Sequence, residues 1–332
     1  MEHRKLGRTG LTVSRICLGT MTFGLQIDEA AAFAILDHAA DAGVSFLDTA
    51  DIYPQGGGID SAGATEEILG RWLKGKRAQF VVATKVFGRT GPQPWDAGNN
   101  RRHIMDAVDG SLRRLKTDWI DLYQVHHDDP DTPIDETLET MNDLVRSGKV
   151  RYVGCSNFVA YRLARSIGRS ETLGVARFES VQPRYNLLFR EFERELFPLC
   201  MEDGIAVVPY NPLAGGMLSG KYDREKVPAG GTRFGMARAG RVYQDRYWNE
   251  SAFDAVDAFV ALAKLAGIQP ATLAVAWVLA QPAVTAAIVG ATLPDQLDDS
   301  FAAVDLRLGD DLLAELDQLT REFRRGDRGV MR

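Results

Sequence analysis

Short apolar runs of four to six residues alternate with longer amphipathic stretches along almost the whole chain, and that rhythm leaves few folds open. Counted from residue 16, the strand-like runs are 16–19, 44–47, 80–84, 120–125, 150–155, 178–182, 206–209 and 285–289. Helical periodicity fills the intervals at 29–42, 65–74, 101–115, 134–147, 160–167 and 192–202, then in the pair 251–265 and 271–279. Eight strands, each but the last followed by a helix-length stretch, are the arithmetic of an α/β (β/α)8 TIM barrel. A doubly wound sheet is the competing solution. No G-x-G-x-x-G follows the first strand, so the phosphate-cradling turn of that fold is missing. Before the barrel, residues 4–14 predict two short strands around a turn at 7–10.

With 332 residues, 45% hydrophobic and 25% charged, the chain has the length of one such barrel, and 1–332 reads as a single domain. A net charge of −6 argues against a general nucleic-acid or membrane surface and favours a small-molecule partner. Cys17, Cys155 and Cys200 are odd in number and widely spaced, which is neither a disulfide framework nor a zinc pattern. Buried thiols in a reducing cytoplasm are the expectation. The N-terminus is charged and lacks the apolar core of a signal peptide, and no run is long enough to span a bilayer. The basic tail 321–332 reads as a solvated terminus.

In a parallel barrel the chemistry sits where strands end, so polar residues there carry the most information. Asp48 and Tyr53 follow the second run, Lys85 ends the third, and His126 ends the fourth. Singly, Asp48 is a turn residue and Tyr53 a loop aromatic. Lys85 is different, because a charge at the end of an apolar strand is expensive unless partnered. A phenol, with an ordinary pKa of about 10, becomes an effective acid beside an ammonium that stabilises its phenolate. A carboxylate keeps that amine charged, and a neutral imidazole can orient a carbonyl. His126 stands beside His127, Asp128 and Asp129, which raises a metal-site alternative. Neighbouring side chains after a strand are expected to diverge, with His126 inward and His127 in the loop, so a metal is not expected.

Asp48, Tyr53, Lys85 and His126, in this order and spacing, resemble the tetrad of the aldo-keto reductases, in particular the bacterial long-chain and channel β-subunit-like branch. That resemblance runs over nearly the whole chain. It implies a (β/α)8 barrel whose bottom is closed by an N-terminal β-hairpin, and an NAD(P)H-dependent oxidoreductase reducing aldehydes or ketones. Tyr53 would be the general acid, with its pKa depressed by Lys85.

Further strand ends carry Ser156, Asn157, Gln182 and Tyr210. A nicotinamide needs donors and acceptors for its carboxamide and an aromatic face for its ring. The resemblance gives the first three to the carboxamide and Tyr210 to the ring. It also implies that 211–222 wraps the pyrophosphate, through Pro212, Leu213, Gly215, Ser219 and Lys221. Gly290, Thr292, Gln296 and Asp299 would hold the adenosine end at a helix start. Many NADPH-using relatives carry Arg or Lys in that last segment, whereas this chain has neutral residues at 290–294 and 296. NADP(H) is therefore the expected cofactor, with NAD(H) open.

Phe23, Phe87, Trp95 and Trp248 are expected on or near loops at the mouth, either as an apolar substrate wall or as ordinary packing. A carbonyl reductase is one reading. The alternatives are a redox-sensing subunit that binds nicotinamide with little turnover, and a phosphate-binding barrel isomerase.

Overall fold

The computed structural model describes residues 1–324, apart from the side chains of 237–239, so the end of the basic tail at 325–332 lies outside the described residues. Two short strands, β1 (His3–Lys5) and β2 (Thr12–Ser14), pair antiparallel. Eight parallel strands follow: β3 (Ile16–Gly19), β4 (Phe46–Asp48), β5 (Val81–Val86), β6 (Ile120–Val125), β7 (Val150–Ser156), β8 (Ser180–Gln182), β9 (Ala206–Val207) and β10 (Ala287–Val289). They lie side by side in the order β10-β3-β4-β5-β6-β7-β8-β9. Parallel bridges from Val207 to Val284 and from Tyr210 to Ile288 join the two edges. The Thr285 and Ile288 amides donate to the carbonyls of Val207 and Pro209 at 2.8 and 2.9 Å, which closes the barrel.

The first six helices occupy the crossovers: α1 (Glu29–Asp41), α2 (Ala64–Trp72), α3 (Arg101–Leu115), α4 (Ile134–Arg146), α5 (Ala160–Leu173) and α6 (Leu196–Asp203). The helix α3 shows why the periodicity was readable. Asn100 caps it by accepting from the His103 amide at 2.9 Å, and Ile104, Ala107, Val108, Ser111 and Leu115 line its buried face. Arg113 and Arg114 occupy its last turn, where the helix dipole favours cations.

The hairpin closes the bottom, as expected. Leu6 and Val13 are fully buried with Cys17, Phe46, Ala83, Leu122, Ala206 and Ala286 inside the barrel. Leu6, Val13, Phe46 and Leu122 each contribute roughly 1.5–3 kcal/mol. The Arg8 amide donates to Gly204 O at 2.8 Å, just before β9, which fixes the hairpin at the N-terminal ends of the strands. Gly7 permits this approach: its φ is 58°, and a Cβ there would lie 2.5 Å from Gly204 O.

Three local differences matter. The strand β4 extends through Asp48, so that residue is part of the sheet. The helix α5 continues to Leu173, because Ser166 and Ser170 satisfy their hydroxyls on backbone carbonyls one turn back and stay buried. The long connection after β9 contains α7 (Ala237–Tyr247), whose polar sequence has no extended apolar stripe. Then come α8 (Glu250–Leu265), α9 (Pro270–Ala280), α10 (Asp298–Asp305) and α11 (Asp310–Leu319). Among the described residues no single helix is long and apolar enough to cross a membrane.

Candidate active site

The top of the barrel brings the four expected residues together. Lys85, on β5, is completely buried, and its ammonium donates to Asp48 Oδ2 at 2.6 Å and to the Thr49 carbonyl at 2.8 Å. Tyr53 lies in the loop after β4 with its phenol in hydrogen-bonding reach of the same ammonium, which is 5.0 Å from the ring centre. Against Lys85's ordinary range, burial works downward, but Asp48 and Tyr53 outweigh it and hold the ammonium above that range.

Burial likewise pushes the Tyr53 phenol up, and Lys85 pulls it down without overcoming the burial. The expected lowering by Lys85 is therefore present in sign, while the net direction is upward. Tyr53 holds its proton at neutral pH, and the nearby ammonium stabilises any phenolate that forms. His126 follows β6, its ring 5.9 Å from the Tyr53 ring at 77°. Burial, then Lys85 and His127, drive its pKa well below the ordinary imidazole value, so the ring is neutral. Its buried Nδ1 has no protein partner.

The strand-end amides are knitted into the same network. Gln182 Nε2 donates to Asp48 Oδ1 at 2.8 Å, so the two Asp48 oxygens are engaged by Gln182 and Lys85. The Ser156 hydroxyl donates to the Gln182 carbonyl at 2.8 Å. Asn157, at φ 58°, donates to the His126 carbonyl at 3.0 Å and accepts from the Tyr210 hydroxyl at 2.9 Å. Burial raises that phenol to about 12, and Arg246 opposes the rise.

The segment after β9 turns tightly. Ala214, Gly215 and Gly216 have φ of 50°, 72° and 94°. The Gly215 and Gly216 amides already donate to Asn211 Oδ1 and Leu213 O, at 2.6 and 2.8 Å. Pro212 is buried and Leu213 half-buried. Ser219 donates to Gly216 O at 2.8 Å, and exposed Lys221 lies beside Gly216, 3.1 Å from where a Cβ would stand. In the last segment Gly290 is exposed, Thr292 donates its amide to Gln296 Oε1 at 2.9 Å, and Asp299 accepts from Thr272 at 3.1 Å. The aromatic Tyr210, the amide-bearing strand ends and Lys221 beside the glycine turn are groups of the kind a nicotinamide dinucleotide requires, although most of their donors are bonded within the protein here.

The aromatic candidates separate. Phe23 is fully buried in the core, and Trp248 packs edge-on to Phe253 at 5.0 Å. Exposed Trp95 lies 4.6 Å from the Arg102 guanidinium, while Phe87 faces His127 at 5.3 Å. The expectation that His126 and His127 diverge is overturned: their rings stack at 5.2 Å and 19°. The strand ends at Val125, so alternation no longer governs the pair. Asp128 pairs with Arg162 at 2.6 Å and Asp129 accepts from the Asn99 amide at 2.7 Å. Among the described residues no group of three His, Cys, Asp or Glu is placed to hold a metal.

Behind the tetrad stands a group that the sequence reading passed over. Asp51 is fully buried, its amide donating to Lys85 O at 3.1 Å, yet no side chain bonds either carboxyl oxygen. Burial and then Glu66 raise its pKa well above the carboxylate range. Glu66 itself pairs with Arg114 at 2.7 Å and Thr84 at 2.6 Å. An aspartate between apolar residues in the loop that delivers Tyr53 was the available signal.

The Aldo/keto reductase family pattern matches residues 15–321. The chain is 41% identical to the "Uncharacterized oxidoreductase YrpG" of Bacillus subtilis, with 96% of each chain covered. It is 34% identical to the "Protein tas" of Escherichia coli, covering 97% of this chain and 99% of the relative. A "Probable voltage-gated potassium channel subunit beta" of Arabidopsis thaliana is also 34% identical, with 92% of each chain covered. With its closed parallel barrel and strand-end tetrad, the chain belongs to the aldo/keto reductase family of oxidoreductases.

Proposed function

We propose that this protein reduces an aldehyde or ketone to an alcohol, with Tyr53 as the proton donor. The observation that carries this reading is the fully buried Lys85 ammonium shared by Asp48 and the Tyr53 phenol. A bound nicotinamide dinucleotide would supply the hydride. Ser156, Asn157 and Gln182 would hold its carboxamide and Tyr210 its ring. Pro212, Leu213, Gly215, Ser219 and Lys221 would line the pyrophosphate, and Gly290, Thr292, Gln296 and Asp299 the adenosine end. NADPH is the proposed donor, with NADH the competitor because residues 290–296 include no Arg or Lys.

As negative charge develops on the carbonyl oxygen, Tyr53 gives up its proton and the Lys85 ammonium stabilises the phenolate. Asp48, held by Gln182, keeps that ammonium oriented. His126, neutral, orients the carbonyl oxygen without competing as the acid. Following nicotinamide absorbance across aldehydes, ketones and sugars tests the proposal. Turnover that depends on Tyr53 supports it. A second reading, a nicotinamide-binding redox sensor, draws on the likeness to the channel subunit. Cofactor binding without turnover on any carbonyl would favour that reading.

A further inference from the structure

We propose that His127 is a positioning residue: by stacking on the His126 ring it sets the plane of an imidazole whose buried nitrogen has no hydrogen-bond partner, and so aims that ring at the substrate carbonyl. The inference rests on the carbonyl-reductase reading and adds a member to the same site.

An imidazole that meets a carbonyl at one nitrogen is commonly oriented by a hydrogen bond at the other. His126 lacks that bond, since its buried Nδ1 meets no donor or acceptor of the protein. Its main chain is pinned: the amide donates to Val86 O at 2.8 Å, and the carbonyl accepts from Asn157 at 3.0 Å. Those bonds leave the ring free to turn about its own side-chain torsions, so packing has to supply the orientation. The Tyr53 ring meets it edge-on at 5.9 Å and 77°, whereas the His127 ring covers it nearly face to face at 5.2 Å and 19°. Turning the His126 plane would drive a ring edge into His127.

His127 is itself backed by the loop after β5. Its ring lies 5.3 Å from that of half-buried Phe87 at 55°, and its carbonyl accepts from the amide of buried Asn99 at 2.9 Å. Phe87 O in turn accepts from the Gly98 amide at 2.8 Å. Four rings, Phe87, His127, His126 and Tyr53, thus form a row from the loop after β5 to the loop after β4. Asp128 and Asp129 beside the row are bonded to Arg162 and Asn99. The remaining charges, Lys85 acting on His126 and Arg246 on His127, oppose protonation of the imidazoles. His127 is exposed, so replacing it leaves the core closed.

The test replaces His127 by alanine, which removes the stack, and by phenylalanine, which keeps a ring that cannot titrate. Across several aldehydes His127→Ala is expected to lower kcat roughly ten- to a hundredfold, the scale of a misaimed catalytic group, with KM, dinucleotide affinity and thermal unfolding little changed. His127→Phe is expected to recover most of the loss. Crystal structures of the two variants read the ring without any substrate. His127→Phe is expected to keep the His126 plane, and His127→Ala to show it turned or in more than one orientation. An undiminished kcat in His127→Ala, or a His126 ring that keeps its plane there, overturns the inference. So does His127→Phe being as slow as His127→Ala. A loss confined to KM for some aldehydes would make His127 a substrate contact and also overturn it. If the wild type turns over no carbonyl while the His126 ring responds as described, the reductase reading fails and the stacking role stands.

Discussion

The ends of β4 to β8 and the connection after β9 face the same mouth but are built in opposite ways. At the strand ends, Asp48, Lys85, Ser156 and Gln182 are buried, and each is bonded to another member of the network or to backbone. Across from them, the 211–250 connection presents exposed Lys221, half-buried Tyr243 and Arg246, and a short polar helix. A network on strands holds one geometry, whereas a loop can vary without disturbing the barrel. The proposed chemistry draws on the first region, and the second can differ without disturbing it.

The strongest attempt to break that division is Tyr53→Phe. It is expected to lower kcat by roughly two to four orders of magnitude, the scale of general acid catalysis, with dinucleotide affinity little changed in a fluorescence titration. Lys85→Met comes next. It removes one partner of a buried pair, and denaturant unfolding is expected to show a loss of about 3–5 kcal/mol, together with lost turnover. On the loop side, Lys221→Gln is expected to weaken dinucleotide affinity while leaving unfolding within about 0.5 kcal/mol of wild type.

The smallest effect sharpens the contrast within the strand region, between two buried acids three residues apart. Asp48 has side-chain partners on both oxygens, and Asp51 has none. The Asp51 pKa is raised in the folded state, so its stabilising contribution is complete below the unfolded value of about 3.9 and is lost as pH rises toward the folded value. Asp51→Asn removes that loss. Thermal unfolding should show the variant about 2–4 °C more stable than wild type at pH 7 and equal to it near pH 3. A less stable variant at pH 7 would mean that the ionised carboxylate serves the fold.

The same division decides what could be read from sequence. Ile16–Gly19, Ile120–Val125 and Arg101–Leu115 fall at the expected bounds because an apolar period and a cap mark them locally. The tetrad was legible because each member ends or follows an apolar run. What the sequence concealed depends on contacts between distant segments. Gln182 reaches Asp48 across 134 residues, and the helix at Ala237–Tyr247 is held by Tyr247 bonds to remote asparagines rather than by an apolar stripe. The stacking of His127 on His126 was hidden by a strand rule applied one residue past the strand. Asp51 carries no periodicity, and its setting between Ala50 and Ile52 is a weaker signal than the burial that the fold imposes.

The pH dependence of single-turnover nicotinamide oxidation tests the central claim most directly, because Tyr53 and His126 titrate in opposite directions from their ordinary values. With the phenol as acid and the imidazole already neutral, the rate is expected to stay level from about pH 6 to 9 and to fall only above about 10. A decline centred near pH 6.5, the ordinary imidazole value, would make protonated His126 the donor and contradict the account.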